Sequence, residues 1–358
     1  MKKVLIGALF FAALLPALAG AGASAQDQPG RAVALAAADR LERLYVFPLK
    51  GLAAATRLRD QAAAGTYDHL AADALAAHLT SDLADVLHDK HVRVEYSIDV
   101  LPPDGGSGTG PSPAEIAAFA RFERAGGYGL GRVAHLPGNV GYLDVRFFPD
   151  ASPARNAVVD GMASAVAYSD AVILDLRRNR GGDPDGVARL LSHFFAPKTH
   201  LNDFVGRGDG DPKVTDSTFT SSVPGPQITA PLYVLTSGHT FSGGEECAYD
   251  IQTQKRGTLV GEVTGGGANP GGEHRLDDHF EIFVPDARAR NPITKTNWEG
   301  TGVRPDIAVP QDQALATAYA MALNGDAFIA TLPTASRDRL SGIRAKLSTM
   351  DDAAILDL

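Results

Sequence analysis

The feature that most constrains this chain is a repeated unit in its middle: a short apolar run, a glycine-bearing turn, then a helical pattern. In residues 231–256, PLYVLTSGHTFSGGEECAYDIQTQKR, positions 232–235 are apolar and are bounded by Pro231 and Ser237-Gly238, which predicts a buried strand. A helical pattern follows Gly243-Gly244-Glu245-Glu246 and runs to about Arg256. Residues 171–176, AVILDL, open the same unit earlier, with Gly181-Gly182-Asp183-Pro184 in the turn and a helix to about Phe195. A continuous apolar run broken by one acid is expected of a strand covered on both faces. Strands alternating with helices in this way pair in parallel, so the predicted fold class is α/β, a mostly parallel sheet flanked by helices.

Ser242 falls where the second strand gives way to its helix. A serine there has two readings. As a helix N-cap it bonds a backbone N–H, and Glu245 three positions on completes a capping box. As a nucleophile on a tight turn it has helix N–H groups beside it to receive an oxyanion. The residues of this stretch leave both readings open. The two glycine turns, Gly181-Gly182 and Gly243-Gly244, fall at the carboxyl ends of predicted strands, where active sites of parallel sheets gather.

The rest of the chain supplies an accessory unit. Through residues 31–87 alanine and leucine recur at helical spacing, punctuated by Pro48 and Gly65, which predicts a small bundle of about three helices. It ends in His88-Asp89-Lys90-His91, and residues 92–96 then alternate as a strand does. Residues 101–113, LPPDGGSGTGPSP, read as a linker, and a short helix at 114–124 follows. From Tyr128 the α/β pattern begins, with strands expected at 140–147, 258–263 and 280–284 and a helix at 154–167. The expected organisation is a leader at 1–25, a helical domain at 26–100, a linker with its short helix at 101–127, the α/β core at 128–310 and terminal helices at 311–358.

The leader has Lys2 and Lys3, an apolar run from Val4 to Leu18, and Ala23-Ser24-Ala25 in the small-residue pattern of a cleavage site. Export to the periplasm or beyond is the expectation, with no stable membrane insertion. Removing Lys2 and Lys3 leaves 31 of 33 basic residues against 42 acidic ones, a net charge of −11, which argues against a nucleic-acid partner. The single cysteine, Cys247, excludes an internal disulfide and reads as a packing residue. The glycine-rich stretch 264–272 lacks the lysine and helix of a phosphate loop, and the ten histidines show no metal-ligand spacing, so neither metal nor cofactor is expected.

DKHVRV, NVGYLDVRFF, DLRRNRGGDP, TSGHTFSGGEE, VGEVTGGG and NPITKTNWEGTGVRPDI occur in this order. In this combination the chain resembles the serine peptidase superfamily of the tail-specific, C-terminal processing proteases. It is most similar to the branch of interphotoreceptor retinoid-binding protein and the tricorn protease core. The resemblance covers about residues 31–318 and implies a helical domain preceding an α/β core. It implies Ser242 as nucleophile, His91 as base and Glu299 as a supporting carboxylate. The implied oxyanion donors are the N–H of Gly243 and one from Gly181 or Gly182. A peptide or unfolded protein would be the substrate. The alternative is a binding module for apolar ligands such as retinoids or fatty acids, with the serine vestigial. The serine–lysine dyad of the better-known branch is excluded, because Gly267 stands at the lysine position and Lys255 is misplaced for it. Lys90 stands where tricorn-like enzymes have a serine, and Asn269 where relatives often carry histidine. Between His91 and Gly141 there is no room for a PDZ domain, which needs on the order of 80–100 residues.

Overall fold

The computed structural model of the chain describes residues 30–101, 117, 120–121, 123–207, 213–323 and 331–358. The expected leader, all but the first residue of the expected linker, and most of the short helix after it lie outside these residues. The chain divides into two compact units. One takes the chain up to Ile116 together with Phe204–Thr215 and Asn269–Arg288; the other takes Ala117–Asp203, Asp216–Ala268 and Ala289–Leu358.

In the first unit the alanine–leucine pattern forms three helices, Gly30–Leu44, Pro48–Ala63 and Ala72–Leu87. Pro48 opens the second of them, where a missing N–H costs nothing. Leu41, Leu58, Leu75, Leu79, Leu83 and Leu87 are fully buried in one core. Each such side chain contributes about 1.5–3 kcal/mol when removed from water. Two buried tyrosines bring their hydroxyls to acids: Tyr67 donates to Asp82 at 2.7 Å and Tyr45 to Asp89 at 3.0 Å. The strand Arg93–Tyr96 pairs antiparallel with Phe280–Pro285, which pairs in turn with Gly271–Arg275. Phe280, Ile282 and Val284 alternate into the same core as the helices. The strand read at 280–284 therefore exists but belongs to this antiparallel sheet, not to the parallel one.

The second unit is built on a six-stranded sheet. Its order is Ile307–Ala308, Thr258–Gly261, Leu232–Thr236, Ala171–Asp175, Val140–Val145 and Leu130–Leu136. Every pairing is parallel except that of the edge strand Leu130–Leu136. Ala171–Asp175 is buried along its whole length, as its apolar run predicts. The one acid in that run, Asp175, is bound by the Tyr142 hydroxyl at 2.7 Å and by the Arg177 guanidinium at 2.6 Å. The helices Gln311–Ala322 and Thr334–Lys346 bury Leu315, Tyr319, Leu340 and Ile343 in the core with Ile173, Leu235 and Val260. No helix among the described residues is long and apolar enough to cross a membrane.

Candidate active site

Ser242 stands between the strand Leu232–Thr236 and the helix Gly243–Thr253. Its backbone has φ 51° and ψ −121°, a region that non-glycine residues avoid. Such a conformation costs of order 1–3 kcal/mol and persists only where the surroundings hold it. Here Glu245 supplies much of that hold. Its Oε2 accepts the Ser242 N–H at 3.0 Å, the carboxylate half of the expected capping box. The N–H groups of Glu245 and Glu246 donate to the Ser242 carbonyl at 2.8 and 2.9 Å. Gly244, Glu245 and Glu246 at the start of the helix are thus bonded by main-chain groups.

The same carboxylate organises the glycine-rich loop after Gly261. Glu245 accepts the N–H of Gly266 at 2.6 Å, the N–H of Gly267 at 2.8 Å, and the Thr264 hydroxyl. Burial pushes its carboxyl above the usual range, against the pull of those donors. The loop goes on to reach Glu299, whose Oε2 accepts the Ala268 N–H at 2.6 Å. Trp298 Nε1 donates to the Gly267 carbonyl at 2.7 Å, and Gly300 N–H to the Gly266 carbonyl at 2.9 Å. Two carboxylates, Glu245 and Glu299, therefore hold residues 264–268 from either end. The sequence singled out this loop for its glycines but not for its anchor. The Glu245 signal was present as the third residue after Ser242 and was absorbed into the capping reading.

The two glycine turns come together. A Cβ placed on Gly181 would lie 2.7 Å from the Ser242 Cβ, and one on Gly182 would lie 2.0 Å from the Phe148 carbonyl oxygen. Both have positive φ, 108° and 130°, so glycine is required twice over, by conformation and by space. Asn179, wholly buried, fixes the turn: its Oδ1 accepts the Gly181 N–H at 2.8 Å and its Nδ2 donates to the Val145 carbonyl at 3.0 Å. Its carbonyl accepts the Phe241 N–H at 3.0 Å, tying the turn to the residue before Ser242. Of the two glycine N–H groups considered, that of Gly181 is engaged. Those of Gly182 and Gly243 have no hydrogen-bond partner among the described residues. Asn179 was not singled out from the sequence; nothing local distinguishes it from a polar turn residue.

His91 lies in the other unit, just after the third helix, and is buried. Its ring stacks on Phe283, with centroids 5.9 Å apart. Asp89, two residues earlier, is buried beside it and accepts the His91 backbone N–H on Oδ1 at 3.0 Å. His91 Nδ1 lies 3.7 Å from that same oxygen, in ion-pair range. Lys255 is exposed at the end of the Ser242 helix, and Cys247 is buried in it, its thiol pushed up by burial.

Residues 139–309 match the model of Peptidase family S41. A curated relative, the carboxyl-terminal-processing peptidase 2, chloroplastic, of Arabidopsis thaliana, is 29% identical over 189 residues. That match spans 50% of this chain but only 35% of the relative's length. Among solved structures, one of a candidate peptidase from Parabacteroides merdae is similar with a TM-score of 0.58 at 18% identity, covering 82% of this chain and 96% of that one. A lipoprotein from Streptococcus agalactiae gives 0.54 at 12% identity, covering 87% and 99%. At these identities the structures speak for the fold. By the family match and the relative, the segment 139–309 is similar to peptidases of that family.

Proposed function

We propose that the chain is an exported serine peptidase, periplasmic or secreted, that cleaves peptides or unfolded proteins through an acyl-enzyme. The observation that carries this reading is the Ser242 turn. A serine in a strained conformation at a helix start, packed against Gly181 and beside the unengaged N–H of Gly243, fits a nucleophile. Ser242 Oγ attacks the scissile carbonyl carbon as His91 takes its proton. The negative charge that gathers on the carbonyl oxygen is received by the N–H groups of Gly182 and Gly243. When the carbon–nitrogen bond breaks, His91 returns the proton to the leaving amine. Water then repeats the sequence on the ester, releasing the acid and restoring the serine. Glu299 supports the site through the 264–268 loop that it anchors.

A fluorophosphonate probe tests the reading on the full chain. Wild type is expected to label at Ser242, and Ser242→Ala to lose labelling and peptide hydrolysis by a factor of roughly 10⁴–10⁶ while keeping its fold. His91→Ala should lose most of the rate, and Lys255→Ala should keep it. Folded wild-type protein that fails to label would instead favour the apolar-ligand binding module.

A further inference from the structure

We infer that Asp89 is the positioning residue of His91, and that Tyr45 and Asn269 are there to keep Asp89 aimed. This deepens the peptidase reading and rests on it, since it assigns His91 as base.

All four residues belong to one unit, yet they come from three separate parts of the chain. Asp89 Oδ2 accepts the Tyr45 hydroxyl at 3.0 Å and the Asn269 Nδ2 at 2.9 Å. Oδ1 accepts the His91 backbone N–H at 3.0 Å and faces His91 Nδ1 at 3.7 Å. The carboxylate is therefore fixed at one oxygen by two neutral donors, which leaves the other for the imidazole. Asp89 and Asn269 are only 3% and 1% exposed, so no solvent competes for these bonds. Burial pushes the Asp89 carboxyl up. Its contacts with His91 and Asn269 outweigh that and hold it below the ordinary carboxylate range.

The chemistry of Asn269 matters here. An amide cannot take up a proton at neutral pH, so it bonds the carboxylate without competing with the imidazole for charge. Its orientation is dictated too, because turning the amide over would bring its oxygen against the carboxylate oxygen. Tyr45, fully buried, is likewise a neutral donor. Nδ1 lies in ion-pair range of Oδ1, longer than a hydrogen bond; closing that gap puts the proton of a neutral imidazole on Nδ1 and leaves Nε2 as the basic atom. Of the neighbouring charges, Arg93 donates to the His91 carbonyl at 3.3 Å, lies over the Phe283 ring at 5.0 Å, and pairs with Glu95 and with Glu273 at 2.5 Å; burial pushes the Glu273 carboxyl up to about 7, so this group titrates at the same pH in wild type and in every variant compared. Lys90 and His88 complete the charged or titratable groups of the same turn.

The test is the rate of fluorophosphonate labelling of the full chain from pH 5 to 9, with thermal unfolding as the control for fold. Asp89→Asn is expected to lower the rate by roughly 10²–10⁴-fold at neutral pH and to move the acid limb of the profile to lower pH, because a charge that favours the imidazolium is gone. Tyr45→Phe and Asn269→Ala should each cost about 3–10-fold, and both should become nearly silent when added to Asp89→Asn. The Tyr45→Phe/Asn269→Ala double variant should move the acid limb the other way, upward, since it leaves the carboxylate charged but less well bound. An Asp89→Asn protein that labels at the wild-type rate with an unchanged profile overturns the inference. So do donor variants that cost the same with and without Asp89. If Asp89→Asn does not fold, the double variant decides alone: an unshifted limb in the folded protein sinks the idea. These outcomes are separable from failure of the peptidase reading, which shows itself when Ser242→Ala or His91→Ala still reacts at full rate.

Discussion

Two corners of this molecule hold a candidate catalytic residue in place by different means. Ser242 is held mainly by backbone: glycine turns pressed against it, its own carbonyl bonded by two helix N–H groups, and one carboxylate gathering N–H groups from the loop beyond. His91 depends on side chains: its backbone N–H is accepted by a carboxylate two residues away, and a tyrosine hydroxyl and an amide hold that carboxylate in turn. Backbone scaffolding fails abruptly, because a glycine that must sit at positive φ has no gentle substitute. Side-chain scaffolding fails by degrees, one hydrogen bond at a time.

The comparison is broken most directly at Gly182. Gly182→Ala puts a methyl group 2.0 Å from the Phe148 carbonyl oxygen at a φ of 130°. The turn must move, and the N–H it offers must move with it. We expect labelling to fall by roughly 10²–10³-fold, the usual cost of losing an oxyanion donor. The change should exceed the effect of Asn269→Ala on the other corner by at least tenfold. A Gly182→Ala protein that reacts as fast as Asn269→Ala would show that the two corners do not differ in kind.

Glu245→Gln tests the exception within the first corner, where a side chain does the backbone's work. Glutamine keeps the volume but offers one acceptor oxygen where the carboxylate offers two. At least one of the buried N–H donors of Ser242, Gly266 and Gly267 is left unpaired. The expected loss is about 1–3 kcal/mol of unfolding free energy in urea, with the m-value unchanged. A variant as stable as wild type would mean that the loop rebonds without the acid.

The same contrast explains what could be read from the sequence. The α/β core was legible because its signals are local. An apolar run, a glycine pair and a helical pattern sit side by side at 171–191 and 231–253, and the structure places strand, turn and helix there. The helices of the first unit were legible for the same reason, through alanine and leucine at fixed spacing. Partners distant in sequence were not. The strand Phe280–Pro285 was found but given to the wrong sheet, because its pairing with Arg93–Tyr96 depends on residues nearly two hundred positions away. Gly271–Arg275, polar and glycine-led, reads as loop and becomes a strand only by pairing with its neighbour. The helix read to Phe195 ends at Leu191, where Ser192 turns its hydroxyl back to the Ala188 carbonyl at 2.6 Å. At the candidate site the motifs pointed to Ser242, His91 and Glu299 by resemblance. Asp89 and Asn179 carry no local mark, Asn269 is marked only as a departure from its relatives, and the contacts of all three are visible only in three dimensions.

The smallest effect is expected on the hidden face of the Ser242 helix, where side chains again do the holding but two acids face each other. Glu246 and Asp250 are buried one turn apart, and the Asn202 amide donates to both, at 3.3 Å to Glu246 and at 3.0 Å to Asp250. Asn291 adds a bond to Asp250 at 3.2 Å. Burial and the neighbouring acid push Glu246 well up, and burial carries Asp250 up to about 8. A carboxyl whose value is raised by folding binds its proton more tightly in the native state than in the unfolded chain. Its contribution to stability is therefore largest at low pH, declines once pH exceeds the unfolded value of about 4, and levels off above about 8. Asp250→Asn removes that decline while keeping an acceptor for Asn202. Its unfolding temperature relative to wild type should rise steadily from pH 5 to 8 and then stay level, by a few degrees at most. Parallel curves for the two proteins across that range would show that Asp250 does not hold its proton, and that the amides alone accommodate both charges.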